Sequence, residues 1–131
     1  MSRIHIYQAK IVEVIDGDTF RLMIDQGLHD FSEEKMRLYG IDAPEMRTNA
    51  GKDLKRRLAS EYYCGHVVVQ TIDGPKNQQF RDKYGRFLAI IYDAWPIAPR
   101  AIGNGEKIIE VAPLSLNAKL IDDGLARERY W

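Results

Sequence analysis

Residues 14–20 read VIDGDTF, and the second aspartate is the unexplained one. An Asp-Gly pair closing an apolar run is a hairpin signal, which accounts for Asp16 and Gly17. It does not call for Asp18, a carboxylate placed where the next strand begins. Two further stretches carry related chemistry. RLYGIDAPE, residues 37–45, supplies Arg37, Asp42 and Glu45 around a rigid Pro44. RDKYGRF, residues 81–87, supplies Arg81, Lys83, Tyr84 and Arg86. If the strands carrying these segments are neighbours, Asp18, Asp42 and Glu45 can converge. Oxygen ligands without histidine or cysteine suit a hard cation, calcium or magnesium. Arg37 and Arg86 suit a phosphate, because a guanidinium presents planar, paired donors. Metal carboxylates beside phosphate-binding arginines make a phosphodiester site.

Each piece also has a plain structural reading. Asp-Gly is an ordinary turn. Glu45 could simply favour the start of a helix. Tyr84 could be a packing residue in a solvated hairpin, and Lys55-Arg56-Arg57 a solvated helix face.

The elements that must position these residues are legible from periodicity. Ile4 to Val14 and Phe20 to Ile24 keep a period of two and read as strands. A third strand is expected over Lys35–Ile41. From Thr48 or Asn49 the spacing turns helical, with Leu54, Leu58, Ala59, Tyr62 and Tyr63 on one stripe and Gly65 as the stop. Val67–Ile72 and Phe87–Tyr92 read as the fourth and fifth strands. AWPIAPRAIGNG, residues 94–105, reads as a loop, followed by a short strand over Lys107–Val111. A last helix is expected from about Leu114 to Asp123, stopped by Gly124. This order predicts an α+β, mainly β fold: a small antiparallel barrel of the OB type with helices outside.

The 131 residues suit one domain, 1–131, and 45% hydrophobic composition suits a single core. One cysteine, Cys64, excludes an internal disulfide and a cysteine-based zinc site. His5, His29 and His66 are far apart and form no metal-binding pair. The net charge is zero, so a polyanionic partner would have to be held by local basic patches. No apolar run reaches the length of a membrane span. The N-terminal MSRIHIYQAKIVEV alternates and lacks a signal-peptide core, so the expectation is a cytoplasmic protein as given, or a secreted or periplasmic one if a leader has been removed.

Four motifs, VIDGDTFRL, MRLYGIDAPE, DKYGRFLAIIY and LNAKLIDDGLA, occur in that order. From about Ala9 to Tyr130 the chain resembles the staphylococcal (thermonuclease-type) nuclease family. The resemblance implies a five-stranded OB barrel with three helices. It also implies one bound calcium and hydrolysis of DNA and RNA phosphodiesters to leave 3′-phosphates. By the same resemblance, Asp18 and Asp42 match calcium carboxylates, and Ala43 matches a backbone-carbonyl ligand. Glu45 matches the proposed general base. Arg37 and Arg86 match the arginines on the scissile phosphate. Lys83 and Tyr84 match contacts to a terminal phosphate, and Tyr130 matches an aromatic wall of the base pocket. The implied partners are DNA and RNA, single strands favoured, with no membrane and no obligate protein partner.

Three features depart from the family pattern. Ala43 stands where threonine is common. The stretch from Glu45 to Gly51 is short. Residues 94–111 look like an insertion that either reshapes the cleft or lies on the surface. The rival expectation is a non-catalytic OB-type module that binds nucleic acid or protein. Such modules lose the carboxylates or the arginines, whereas Asp18, Arg37, Asp42, Glu45 and Arg86 are all present here.

Overall fold

Alternating apolar residues build two long strands, β1 (Ile6–Asp16) and β2 (Thr19–Asp25), joined at Gly17 and Asp18. Gly17 does not adopt a left-handed conformation. Its need is for space: a Cβ there would lie 2.7 Å from both the Ala43 Cβ and a Leu54 methyl. The register of β1 against β2 slips twice, between Ile11 and Glu13 and between Val14 and Asp16. Such bulges bend a strand and help a sheet to close. The computed structural model describes residues 4–62, 65–73, 81–82, 84–103 and 105–129.

The third strand, β3 (Phe31–Leu38), starts four residues earlier than Lys35–Ile41 implied and stops before Ile41. Its first half, Phe31 to Lys35, is mostly exposed, so it carries little apolar signal, yet it pairs with β2 along its whole length. Gly40, at φ +81, breaks the strand, and β4 (Ile41–Asp42) follows as a separate short piece. Then come α1 (Asn49–Tyr62), β5 (His66–Thr71), β6 (Phe87–Tyr92), α2 (Ile108–Val111), α3 (Leu116–Asp122) and β7 (Arg127–Glu128). The barrel closes in the order β1-β2-β3-β6-β5, and β4 with β7 forms a two-stranded ribbon beside it. This is the expected OB-type architecture of five barrel strands with three helices among the described residues. One pairing differs from the all-antiparallel expectation. β3 and β6 run parallel, Met36 beside Phe87, because α1 and β5 lie between them in the chain. No helix among the described residues is long and apolar enough to cross a membrane.

Inside the barrel, Ile11, Phe20, Leu22, Leu38, Leu88 and Ile90 are fully buried. α1 packs against β1 and buries Leu54 and Leu58 in the core. Its start is capped by Thr48, whose hydroxyl accepts from the Gly51 N–H at 3.0 Å. The helix α3 is held by Asn117, which is wholly buried. Its amide donates to the Tyr39 carbonyl at 2.8 Å and the Ala89 carbonyl at 3.0 Å, and accepts from the Ile91 N–H at 3.1 Å. Those three contacts join α3, β6 and the end of β3. They satisfy backbone groups where the ladder between β3 and β6 ends.

The expected strand at Lys107–Val111 is instead α2. Ile108 and Ala112 are buried four residues apart, a helical spacing that places both on the barrel. Nor is the 94–111 segment a loose surface insertion. The Tyr39 hydroxyl donates to the Glu106 carbonyl at 2.6 Å and accepts from the Gly105 N–H at 2.8 Å. Gln70 donates to the Arg100 carbonyl at 2.5 Å, and Ile102 is buried. The segment roofs a separate cavity of about 460 Å³ bounded by Trp95, Pro99, Ile102 and Pro113. The last helix begins at Leu116 rather than Leu114, because Ser115 caps it by accepting from the Ala118 N–H at 3.1 Å.

Candidate functional site

Asp18 owes its position to the turn it completes. Its N–H donates to Asp16 Oδ1 at 3.0 Å, and its carbonyl accepts from the Leu38 N–H at 2.8 Å. The residue is thereby pinned between the β1–β2 turn and the end of β3. Its carboxylate faces the start of the segment after β4. There Oδ2 accepts from the Ala43 N–H at 3.0 Å and lies 3.2 Å from Arg37 Nη1. Burial pushes the Asp18 carboxyl up to about 6, helped by the neighbouring Asp16, against the pull of the Ala43 N–H and Arg37.

Arg37 is buried at the end of β3. Its Nη2 donates to the Ile41 carbonyl at 3.1 Å and to Asp42 Oδ1. A single guanidinium therefore bridges Asp18 and Asp42, which brings together the two expected metal carboxylates. Asp42 Oδ1 also accepts from Arg129 Nη1 at 3.1 Å. These groups line a cleft of about 750 Å³ whose walls include Asp16, Ala43, Glu45, Arg127 and Arg129.

Glu45 lies on the wall of this cleft, but its carboxylate is exposed and paired with Arg47, and it does not join Asp18 and Asp42 in a three-membered metal-binding group. The expected convergence of three carboxylates is thus reduced to two. The physical reason is local: the Arg47 guanidinium is only two residues away. Among the described residues, no three carboxylate, histidine or cysteine side chains form a metal cage. The donors present are carboxylate oxygens and the edge of the Ala43 peptide, opening onto a cleft. They suit a hard divalent cation that keeps water in its shell.

Arg86 stands outside the wall of the cleft and is tied to it through one hydroxyl. It enters β6 just after Gly85, a turn residue at φ +79. Its Nε and Nη2 lie 2.7 and 2.6 Å from Asp82 Oδ2, and its Nη1 donates to Thr19 Oγ1 at 3.1 Å. The Thr19 hydroxyl in turn donates to Asp18 Oδ1 at 3.3 Å. Burial pushes the Asp82 carboxyl up, but hydrogen bonds from the Arg86 side chain and from the Arg86 and Tyr84 N–H groups outweigh it. Its pKa is held below the usual carboxylate range. Tyr84 is exposed, its ring centroid 5.3 Å from the Arg86 Cζ. Lys83 and Tyr130 lie outside the described residues.

Sequence reasoning did not single out Asp16, Thr19, Asp82, Arg127 or Arg129. Asp82 carried a readable signal. An aspartate two residues before Tyr84 and four before Arg86 in a Gly-containing turn is placed to accept their N–H groups, as it does at 2.9 and 3.0 Å. Arg129 carried none, because it reaches Asp42 only through the pairing of β7 with β4.

A family model described as staphylococcal nuclease homologue matches residues 35–131. The chain is 30% identical over 122 residues to the thermonuclease of Staphylococcus intermedius, covering 92% of this chain and 59% of that protein. It is 27% identical over 123 residues to the thermonuclease of Staphylococcus hyicus, covering 93% and 59%. It is 29% identical over 119 residues to Protein ParB of Escherichia coli, covering 91% and 55%. The chain therefore spans less than two thirds of the length of these curated relatives.

Proposed function

Since the chain belongs to the staphylococcal nuclease homologue family, we propose that it is a calcium-dependent, sugar-nonspecific nuclease that hydrolyses DNA and RNA phosphodiesters to leave 3′-phosphates. The observation that carries this reading is Arg37 held between Asp18 and Asp42 on the wall of an open cleft. That arrangement sets cation-binding oxygens and a phosphate-binding guanidinium side by side. Single-stranded nucleic acid, with its accessible backbone, is the favoured substrate.

Asp18, Asp42 and the Ala43 carbonyl would hold the calcium, which when bound neutralises phosphate charge and favours ionisation of an attacking water. Arg37 meets the phosphate from a fixed, buried origin. Arg86 meets charge developing on the phosphate oxygens in the transition state, where a preorganised donor contributes most. Glu45 accepts the proton of the attacking water. It does so after parting from Arg47, a contact between two exposed side chains and therefore weak. Ala43 presents no hydroxyl beside that water. Tyr84, Lys83 and Tyr130 contact the terminal phosphate and the base. With a net charge of zero, binding rests on these local arginines and weakens steeply with salt.

The test is incubation of the purified protein with end-labelled single-stranded DNA, with calcium or with excess chelator. Cleavage in calcium, none in chelator, and products that require phosphatase before end-extension are expected. Cleavage undiminished by chelator would refute the calcium dependence. Binding without cleavage in calcium would favour a non-catalytic module. Asp18→Asn and Asp42→Asn should each weaken calcium binding and lower turnover together.

A further inference from the structure

We propose that Arg127 is a substrate-binding residue that takes the phosphate next to the scissile one, on the side of Arg37 away from Arg86. The inference rests on the nuclease reading of the cleft and adds a second phosphate subsite to it.

A row of contacts crosses the site. Arg86 Nη1 donates to the Thr19 hydroxyl at 3.1 Å, and that hydroxyl donates to Asp18 Oδ1 at 3.3 Å. Asp18 Oδ2 lies 3.2 Å from Arg37 Nη1, and Arg37 Nη2 donates to Asp42 Oδ1. Asp42 in turn is paired with Arg127 across the antiparallel β4–β7 ribbon. Arg86 and Arg127 thus stand at opposite ends of the row, with Arg37 between them. Residues directly opposite in an antiparallel pair project from the same face, with Cβ atoms about 4.5–5.5 Å apart. The Arg127 side chain therefore leaves the ribbon on the same face as Asp42, and it lines the same cleft as Asp18, Arg37 and Ala43.

Arg127 differs from the other arginines of this region in its charge balance. Arg37 is paired with Asp18 and Asp42, Arg86 with Asp82, and Arg47 with Glu45. The Asp42 carboxylate accepts from Arg37 and Arg129. Among the described residues, no hydrogen bond or ion pair holds the Arg127 guanidinium, although its backbone is fixed by the ribbon. An exposed cation beside a phosphate-binding site is a point of attachment for the next phosphate of the same strand. A guanidinium suits that task, since it presents paired donors to the phosphate oxygens. The neighbouring phosphate gains no charge as the scissile bond breaks. Arg127 therefore contributes to binding and not to the chemical step.

The experiment compares wild type, Arg127→Gln and Arg56→Gln in calcium on two substrates. Thymidylyl-thymidine has a single phosphodiester, whereas a short oligothymidylate has several. Arg56 is an exposed cation of α1, paired with Asp53 and outside the cleft, and it controls for lost net charge. Arg127→Gln should raise KM for the oligomer about two- to fivefold, the scale of one exposed charged contact, and leave kcat unchanged. KM for thymidylyl-thymidine should stay at the wild-type value. The slope of log kcat/KM for the oligomer against log salt should fall by about 0.7, the share of one phosphate contact on a single strand. Arg127→Lys keeps the charge and should restore most of the oligomer KM and of the slope. It also serves if the glutamine variant melts early. An oligomer KM in Arg127→Gln equal to wild type, or raised no more than in Arg56→Gln, would overturn the proposal. So would an equal rise on both substrates, which would put Arg127 on the scissile phosphate itself. A wild type that cleaves neither substrate would overturn the nuclease reading, and this proposal with it.

Discussion

Asp82 clamps Arg86: one carboxylate oxygen lies 2.7 Å from Nε and 2.6 Å from Nη2, while the opposite end of the guanidinium reaches Thr19. The planar fork is thus oriented from two sides before any substrate arrives. Arg86→Lys keeps the charge but cannot make both contacts at once. We expect kcat to fall by on the order of 10²–10³, as for loss of one preorganised donor. KM should move far less, because ground-state binding is shared with Arg37 and the cation. A melt close to wild type, beside this kinetic loss, is the expected pair of results. Near-normal kcat would make Arg86 a structural partner of Asp82 and nothing more.

Acid should loosen this clamp. The Asp82 carboxyl titrates below its ordinary value of 3.8 in the folded protein. A depressed folded pKa contributes stability that is full above the unfolded value and is lost as pH falls through the folded one. Wild type should therefore lose more stability between neutral pH and pH of about 3 than Asp82→Asn, which has no proton to take up there. Urea melts of both proteins across that range test this. Parallel loss in the two would show that the Asp82–Arg86 pair adds nothing to stability.

Most of the barrel was legible because its strands alternate. Phe20, Leu22, Leu88 and Ile90 announce inward faces. The legible part of the site was local too: Asp18 beside its turn, Arg37 and Asp42 at either side of a glycine. What was illegible depended on contacts distant in sequence. The early start of β3 is hidden because its outer half faces water. The α2 segment resembles a strand, since Ile108, Ile109 and Val111 are β-branched, and only burial of Ile108 on the barrel decides for helix. Glu45 reads in sequence as the base beside Asp18 and Asp42, and nothing in the sequence shows that its carboxylate pairs with Arg47.

Asn117 should matter more for stability than its polarity suggests. Its side chain satisfies two buried carbonyls and one buried N–H on two different segments. Asn117→Leu has similar bulk but removes that partner from the Tyr39 carbonyl and the Ile91 N–H, while the Ala89 carbonyl keeps the Tyr39 N–H as a donor at 2.8 Å. We expect a loss of about 2 kcal/mol or more, from an unsatisfied-group cost of about 1–3 kcal/mol each for the two groups. Denaturant titration with unchanged m-values measures it. A loss under about 1 kcal/mol would mean that the freed groups find other partners.

Gly51 offers a test in which two physical effects have opposite signs. It sits in the first turn of α1, where alanine would ordinarily be better by about 1 kcal/mol. Its φ is not left-handed, so backbone conformation does not forbid the change. Space does. An added Cβ would collide with the Glu45 carbonyl oxygen and lie 2.8 Å from the Pro44 carbonyl oxygen. Backbone atoms cannot step aside as a flexible side chain can, so the steric effect should win, with a net loss of about 1–3 kcal/mol. The displaced segment is the one that carries Ala43 and Glu45 into the cleft. Gly51→Ala should therefore lower kcat as well as the melting temperature, whereas Lys52→Ala, one residue along on the exposed side of the same helix, should change neither appreciably. A Gly51→Ala variant more stable than wild type would show that helix propensity outweighs the contact. The close seating of α1 on the Pro44–Glu45 backbone would then not be what fixes the base.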